Sequence, residues 1–211
     1  MKVKKFENRE TVGGLLAAGC CKRMGKNNKL LCEIDGIPMV RNIAIEMINS
    51  DLKYCSVVLG YQATKVAAAL EGLPLNLIEN KRWHEGQDTS ISLIARSFSY
   101  FNNNVLIMLA DLPGVKMFHF NQLLKYHLST PNPASTIIVL EFKRQSGNPL
   151  IWGKYFLPEL KKLSGVIGGR SLLEKYKENI NSINFANNCI VSDIDTKVTL
   201  SLWKKCGDQS A

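Results

Sequence analysis

The sequence predicts an α/β fold, a single three-layer α/β/α domain on a mostly parallel sheet, and three observations carry that prediction. Short apolar runs alternate with segments of helical periodicity along the whole chain. One run, Val105-Leu106-Ile107-Met108-Leu109, is wholly apolar, as a strand covered on both faces must be. Glycine, proline and aspartate punctuate the ends of these runs, where connections between strands and helices belong. At 211 residues the chain is long enough for one well-buried domain and short for two. Residues 12–206 are expected to form that domain, with residues 1–11 a short, charged, flexible lead-in. There is no internal repeat or low-complexity tract.

The first strand is expected over residues 12–18, an apolar segment that stops at Gly19. Asp35-Gly36 reads as a turn, and Pro38 suits the first position of a helix. Along that helix Val40, Ile43, Ala44, Met47 and Ile48 recur at helical spacing and make one buried stripe. Residues 56–59 form the next strand, 62–70 a short helix ending at Gly72, and 75–78 a third strand. Asp88 or Thr89 is the candidate cap of a helix carrying Ile91, Ile94, Ala95 and Phe98. The central strand 105–109 follows, then a helix with Phe120, Leu123, Leu124 and His127 on one side. Residues 136–142 and 149–152 are read as strands separated by a polar loop, 143–148. Two helices follow, around 157–163 and 169–177. Ile190-Val191 then leads into Asp193-Ile194-Asp195-Thr196, and a last helix closes the domain.

Composition narrows the partners. Twenty-seven lysines and arginines against 18 acidic residues leave a formal charge of +9, which suits an anionic ligand. The basic residues are scattered, without the long tract or aromatic–basic interleaving of an RNA-stacking surface. A small polyphosphate accounts for the charge, and no nucleic-acid partner is expected. No apolar run approaches the ~20 residues of a membrane span, and the first ten residues lack the apolar core of a signal peptide. Six cysteines without a C-x-x-C pair read as reduced thiols, and a cytoplasmic location is expected. Adjacent Cys20 and Cys21 read as small side chains filling a tight turn.

Four constellations carry chemistry. The first is Leu15-Leu16-Ala17-Ala18-Gly19-Cys20-Cys21-Lys22-Arg23-Met24-Gly25, running on to Lys29. Here a strand ends in a loop with unhindered backbone N–H groups and fixed positive charge, the means by which proteins grip polyphosphate. Gly14, Gly19 and Gly25 permit close backbone approach, and Arg23 with Lys29 or Lys26 supplies charge-assisted bonds. Neither the dinucleotide fingerprint G-x-G-x-x-G nor the Walker pattern is present. The second is Asp111, at the carboxyl end of the central strand, where ligands of open α/β sheets bind. Mg²⁺ is held by one or two carboxylates plus phosphates and waters, and Asp111 is a candidate. The third is Asp193-Ile194-Asp195-Thr196, whose two carboxylates share a face if extended. The fourth is the segment Asn80 through Ile91, with hydroxyls at a helix start. Ser90 is a candidate nucleotide contact there, Trp83 local core and His84 a surface histidine.

These strings, in this order, resemble the nucleotidyltransferases that add CMP or GMP to the molybdenum cofactor, the MobA-like NTP transferases. Leu16 to Gly25 resembles L-A-A-G-x-S-x-R-M-G, Leu109 to Pro113 resembles L-x-D-x-P, and Asp193 to Thr196 resembles a D-I-D-T near the family's end. Asn80 to Ser90 is similar to N-x-x-W-x-x-G-x-x-x-S. Gly147 to Trp152 is similar to G-H-P-V-L-F with Asn148 in place of histidine, and Ser164 to Arg170 to S-G-D-x-G-x-R with Val166 in place of aspartate. Cys21 stands where a hydroxyl residue is usual, and Lys29 lies one residue further on than the family's lysine. The resemblance implies a Rossmann-like sheet of the nucleotide-diphospho-sugar transferase type. It implies nucleotide contacts from Leu16, Ala17, Ala18, Gly19, Arg23, Lys29, Gly86 and Ser90, and catalysis by Arg23, Lys29 and Asp111. Asp111 and Asp195 would hold Mg²⁺, while Asn148, Gly168 and Arg170 would shape the acceptor side. The activity implied is transfer of NMP, with CTP as donor and molybdopterin as acceptor, for a client molybdoenzyme. GTP, a sugar phosphate as acceptor, or a non-catalytic carrier of nucleotide or cofactor are the alternatives.

Overall fold

The computed structural model describes residues 10–20, 28–98, 103–142, 145–166 and 169–185. Strand β1 (Thr11–Ala17) is buried along its whole length. A small hairpin of β2 (Glu33–Ile34) and β3 (Ile37–Pro38) turns through Asp35 and Gly36, both at positive φ, the geometry of the tight hairpin turns that Asp-Gly favours. Pro38 precedes α1 (Met39–Asn49) as its cap, one position earlier than the sequence suggests. Met39, Val40, Ile43, Ala44 and Met47 form the buried stripe, and Ile48 sits at its margin. β4 (Cys55–Leu59), α2 (Ala63–Ala69) and β5 (Asn76–Glu79) follow, then α3 (Gln87–Ser97), β6 (Asn104–Leu109) and α4 (Met117–Ser129). β7 (Ile137–Phe142) pairs with β8 (Gln145–Trp152), so most of the expected polar loop is strand. Short helices α5 (Leu157–Leu160) and α6 (Arg170–Lys175) lead to β9 (Ile180–Asn184). The sequence reading has no strand there, because Ile-Asn-Ser-Ile-Asn is half polar. It is the last strand in the sheet order, and its two isoleucines, three apart, face opposite sides, Ile183 toward one core and Ile180 toward the other, so no apolar alternation marks it. The expected elements from Ile190 onward, with Asp193, Asp195 and the last helix, lie outside the described residues.

The sheet order is β5-β4-β1-β6-β8-β7-β9. β1, β4, β5 and β6 are mutually parallel, β8 is antiparallel to both β6 and β7, and β9 runs parallel to β7. β6 is central, as its unbroken apolar run requires. Leu15 and Ala17 of β1 pack on one face with α1, α2 and α4, whereas Val12 and Leu16 pack on the other with α3, α5 and α6. These are the three expected layers, with a core on each side of the sheet. Gly14 belongs to this packing and not to the expected phosphate-binding loop, since a Cβ there would lie 2.5 Å from Ile94 Cγ2. From β1 the chain moves outward through β4 to β5 and returns on the other side of β1 as β6. The order therefore reverses between β1 and β6, which opens a crevice at their carboxyl ends.

Two histidines of α4 are buried. His127 is fully enclosed, and its ring nitrogens make no hydrogen bond. Burial pushes its pKa below the usual value, opposed by the backbone of Pro133 and Thr136, which does not reach hydrogen-bond geometry. His119 is lowered chiefly by burial too, and the Lys116 amide, which donates to its Nδ1 at 2.9 Å, also requires that nitrogen unprotonated. Both rings are thus held neutral by the fold. Their contribution to stability is complete above the ordinary histidine pKa of ~6.5 and is lost as pH falls through the lowered folded values. Urea denaturation should give a clearly lower midpoint at about pH 5.5 than at about pH 7.5, and His119→Gln should shrink that difference.

Candidate active site

At the crevice, β1 runs out into Ala18, Gly19 and Cys20, and β6 into Ala110 and Asp111. The Ala110 amide donates to the Leu16 carbonyl at 3.2 Å, so the two strand ends are stitched side by side. They wall a cleft of about 500 Å³ lined by Leu16, Ala18, Gly19, Lys29, Gly86, Ser90 and Asp111, together with Cys20, Leu30, Trp83, Gln87, Leu109 and Ala110. Seven residues singled out from sequence thus meet in one place. Ala17 does not line the cleft, because strand alternation turns its methyl into the opposite core. Arg23, Gly25, Lys26, Asp193, Asp195 and Gly168 lie outside the described residues.

Lys29 Nζ donates to Asp111 Oδ2 at 2.6 Å, across 82 residues of chain. The two side chains are 12% and 19% exposed, which leaves the pair less screened than a surface ion pair. Local structure aims the lysine. Lys29–Leu31 form a turn of 3₁₀ helix, capped by Asn28, whose Oδ1 accepts from the Leu30 amide at 3.1 Å. Asn28 Nδ2 in turn donates to the Tyr61 carbonyl at 3.2 Å, and Leu30 is buried in the core. Asn28 escapes the sequence reading, although an asparagine one residue before Lys-Leu-Leu is a capping signal.

Asp111 Oδ1 is buried and has no hydrogen-bond partner. A carboxylate oxygen left so is costly unless something cationic completes it. This orphaned oxygen fits a divalent ion held by one carboxylate, phosphates and water. No cluster of three potential protein ligands exists among the described residues.

The start of α3, which lines the cleft through Gln87 and Ser90, is held by Asn80, which is 2% exposed. Its Nδ2 donates to Thr89 Oγ1 at 2.8 Å and to Ser90 Oγ at 2.9 Å, and its Oδ1 accepts from the Arg82 amide at 2.9 Å. Ser90 Oγ is an acceptor in this network and keeps its own hydrogen for a group in the cleft. Neither Asp88 nor Thr89 caps α3. The cap is Gly86, at φ +124°, and a Cβ on it would lie 2.1 Å from the Gly165 carbonyl oxygen. Gly86 is glycine because another backbone touches it, whatever it offers a ligand. Trp83 lines the cleft, tilted against Tyr61 with ring centroids 5.6 Å apart, so it is a wall of the site and not only local core. His84 is exposed, as expected of a surface histidine.

A second cavity of about 540 Å³ adjoins the first, and Gln87 and Leu109 line both. Asn148, Arg170, Gly147, Val166 and Trp152 are among its walls. Asn148 is presented by an irregularity of β8. Leu150 pairs with Val139 and Gly147 with Leu140, so Asn148 and Pro149 stand outside the ladder. Proline donates no hydrogen bond, and an interior strand tolerates it at such a bulge. Gln87 carries no motif signal and is legible only once the two cavities are seen to share it.

A switch-point crevice, a lysine–aspartate pair at its mouth and an adjoining basic cavity are features that relatives can test. Residues 13–180 match the MobA-like NTP transferase domain family. The chain belongs to this family and carries its nucleotidyltransferase domain. A curated relative, the nicotine blue oxidoreductase of Paenarthrobacter nicotinovorans, is 27% identical over 187 residues, 87% of this chain and 91% of that protein. Among solved structures, a Methanothermobacter nucleotidyl transferase superposes with a TM-score of 0.82 at 18% identity, covering 96% of this chain and 99% of that one. Rv0371c of Mycobacterium tuberculosis, solved in complex with manganese, gives 0.73 at 20% identity over 93% and 98%. These likenesses establish the mostly parallel, Rossmann-like α/β fold. No helix among the described residues is long and apolar enough to cross a membrane.

Proposed function

We propose that this protein is a magnesium-dependent nucleotidyltransferase that moves the NMP of an NTP, with CTP favoured, onto the phosphate of a small acceptor, with molybdopterin favoured, and releases pyrophosphate. The observation that carries the reading is the contact of two cavities across Gln87 and Leu109, with Lys29 and Asp111 in the first and Arg170 in the second. That arrangement lets a triphosphate and an anionic acceptor meet end to end.

In this reading the β1 loop and Ser90 seat the nucleotide, with Leu16, Trp83 and Leu109 as the apolar walls of the cleft. Lys29 exchanges Asp111 for the triphosphate, and Arg23 adds a second cation to it. Asp111, relieved of its lysine, and Asp195 would hold Mg²⁺, which when bound neutralises charge on the phosphate oxygens. Arg170 and Asn148 orient the acceptor. An oxygen of its phosphate forms a bond to the α-phosphorus as the bond to the β-phosphate bridge breaks, and the electron pair departs with pyrophosphate. The attacking phosphate is already ionised near neutral pH, so no residue need act as general base. Positioning and charge compensation supply the rate.

Pyrophosphate release from CTP, GTP, ATP and UTP, each with Mg²⁺ and molybdopterin, tests the proposal. Release with CTP that depends on the acceptor supports it, and nucleotide binding without release from any of the four removes it. Arg170→Ala should raise the acceptor KM by about 10- to 100-fold and leave the CTP KM nearly unchanged. A second reading has two observations behind it. Val166 replaces the acceptor-motif aspartate, and the 27% identical relative is by name an oxidoreductase. Under that second reading the protein binds a nucleotide or an organic cofactor without transferring NMP, and oxidation of NADH or NADPH by added dyes would distinguish it.

A further inference from the structure

We propose that Asp88 is a positioning residue, which latches the acceptor-side loop to the start of the nucleotide-side helix and so holds Arg170 at a set distance from the first cavity. The inference rests on the two-cavity reading above. Asp88 is the second residue of α3 and only 2% exposed. Its Oδ1 accepts from the Gly169 amide at 2.8 Å, and its own amide donates to the Gly165 carbonyl at 3.2 Å. Its chain neighbour Gln87 and nearby Ser90 line the nucleotide cleft. Gly169 and Gly165 each precede a residue of the second cavity, Arg170 and Val166. A single carboxylate therefore joins the two sides across 81 residues.

A solvated turn aspartate would not be buried, and a buried carboxylate is tolerated only when bonded. The first turn of α3 favours its charge, and the Gly169 N–H completes it. Gly165 and Gly169 are at positive φ, +114° and +78°, so the loop approaches α3 backbone to backbone. Without the carboxylate bond, the hydrogen bond left between the described residues of this loop and α3 is the weaker 3.2 Å one from the Asp88 amide to Gly165. Asp88 touches neither ligand in this account. It acts through Arg170.

Hydrogen exchange on the full chain, without any substrate, tests the latch. Asp88→Ala should speed exchange of the Gly169 amide by at least about tenfold while the amides of β1 and α1 stay as in the parent. Asp88→Asn keeps an acceptor oxygen and should stay within about twofold of the parent. Equal Gly169 exchange in parent and Asp88→Ala would overturn the proposal, as would equally fast exchange in the alanine and asparagine variants. Should the alanine variant fail to fold, loss of Gly169 protection in Asp88→Asn alone overturns it. In the pyrophosphate assay with CTP and molybdopterin, Asp88→Ala should raise the acceptor KM about tenfold with the CTP KM within about twofold, and Asp88→Asn should restore it. An unchanged acceptor KM also overturns the proposal. If no nucleotide is turned over, the transferase reading fails, while exchange at Gly169 still decides the latch.

Discussion

Asp111→Asn should reduce turnover by at least about 100-fold while leaving the fold intact, because the substitution preserves shape and removes charge where charge is needed. Two observations underlie the magnitude. Oδ2 is the partner of Lys29 at 2.6 Å, and Oδ1 is buried with nothing to accept from. An amide placed there either turns its NH₂ toward Lys29, like against like, or turns it into the space a cation would fill. Both choices misplace the groups that, in the proposed function, meet the triphosphate. Circular dichroism should match the parent and the urea midpoint should fall only modestly, since the pair lies at the strand ends, outside both hydrophobic cores. Activity within about threefold of the parent would remove Asp111 from the chemistry.

The second large effect is expected at Gly86. Gly86→Ala places a Cβ 2.1 Å from the Gly165 carbonyl oxygen, at a φ of +124° that L-residues avoid. The obstruction is backbone and cannot rotate aside. Strain at such a φ costs about 1–3 kcal/mol, and overpacking about as much again, so the loss should be about 2–6 kcal/mol. Relief by separating α3 from the 164–170 loop would open both cavities, since Gln87 lies in each. Both the urea midpoint and NTP affinity should therefore fall together. A Gly86→Ala protein as stable as the parent, with unchanged CTP binding, would refute this account of the contact. The sequence resemblance assigns Gly86 to the nucleotide. The structure adds a reason that is independent of any ligand.

Much of the scaffold is legible before folding is considered, because it is written locally. Val105 to Leu109 is apolar on both strand faces and becomes the central β6, and Asp35-Gly36 becomes a tight hairpin turn. The stripe of α1 follows from spacing alone. The failures are equally physical. β9 at the end of the sheet order has its two isoleucines three apart and so on opposite faces, which leaves no period-two pattern to read. Capping chemistry at Asp88 is outbid by the Gly169 amide, a partner that sequence proximity cannot supply. Gly14 looks like part of a phosphate loop, yet it serves the packing of Ile94.

The chain's linear order determined which segments become strands and helices, and which glycines, lysines and carboxylates end up at strand termini. These follow from periodicity and turn chemistry over a few residues. Tertiary structure decided the rest: that β6 returns beside β1, that Lys29 finds Asp111, that Asp88 finds Gly169, and that Gln87 stands between two cavities. Each is a meeting of residues far apart in the chain, created by strand order and crossover, and no local rule encodes such a distance.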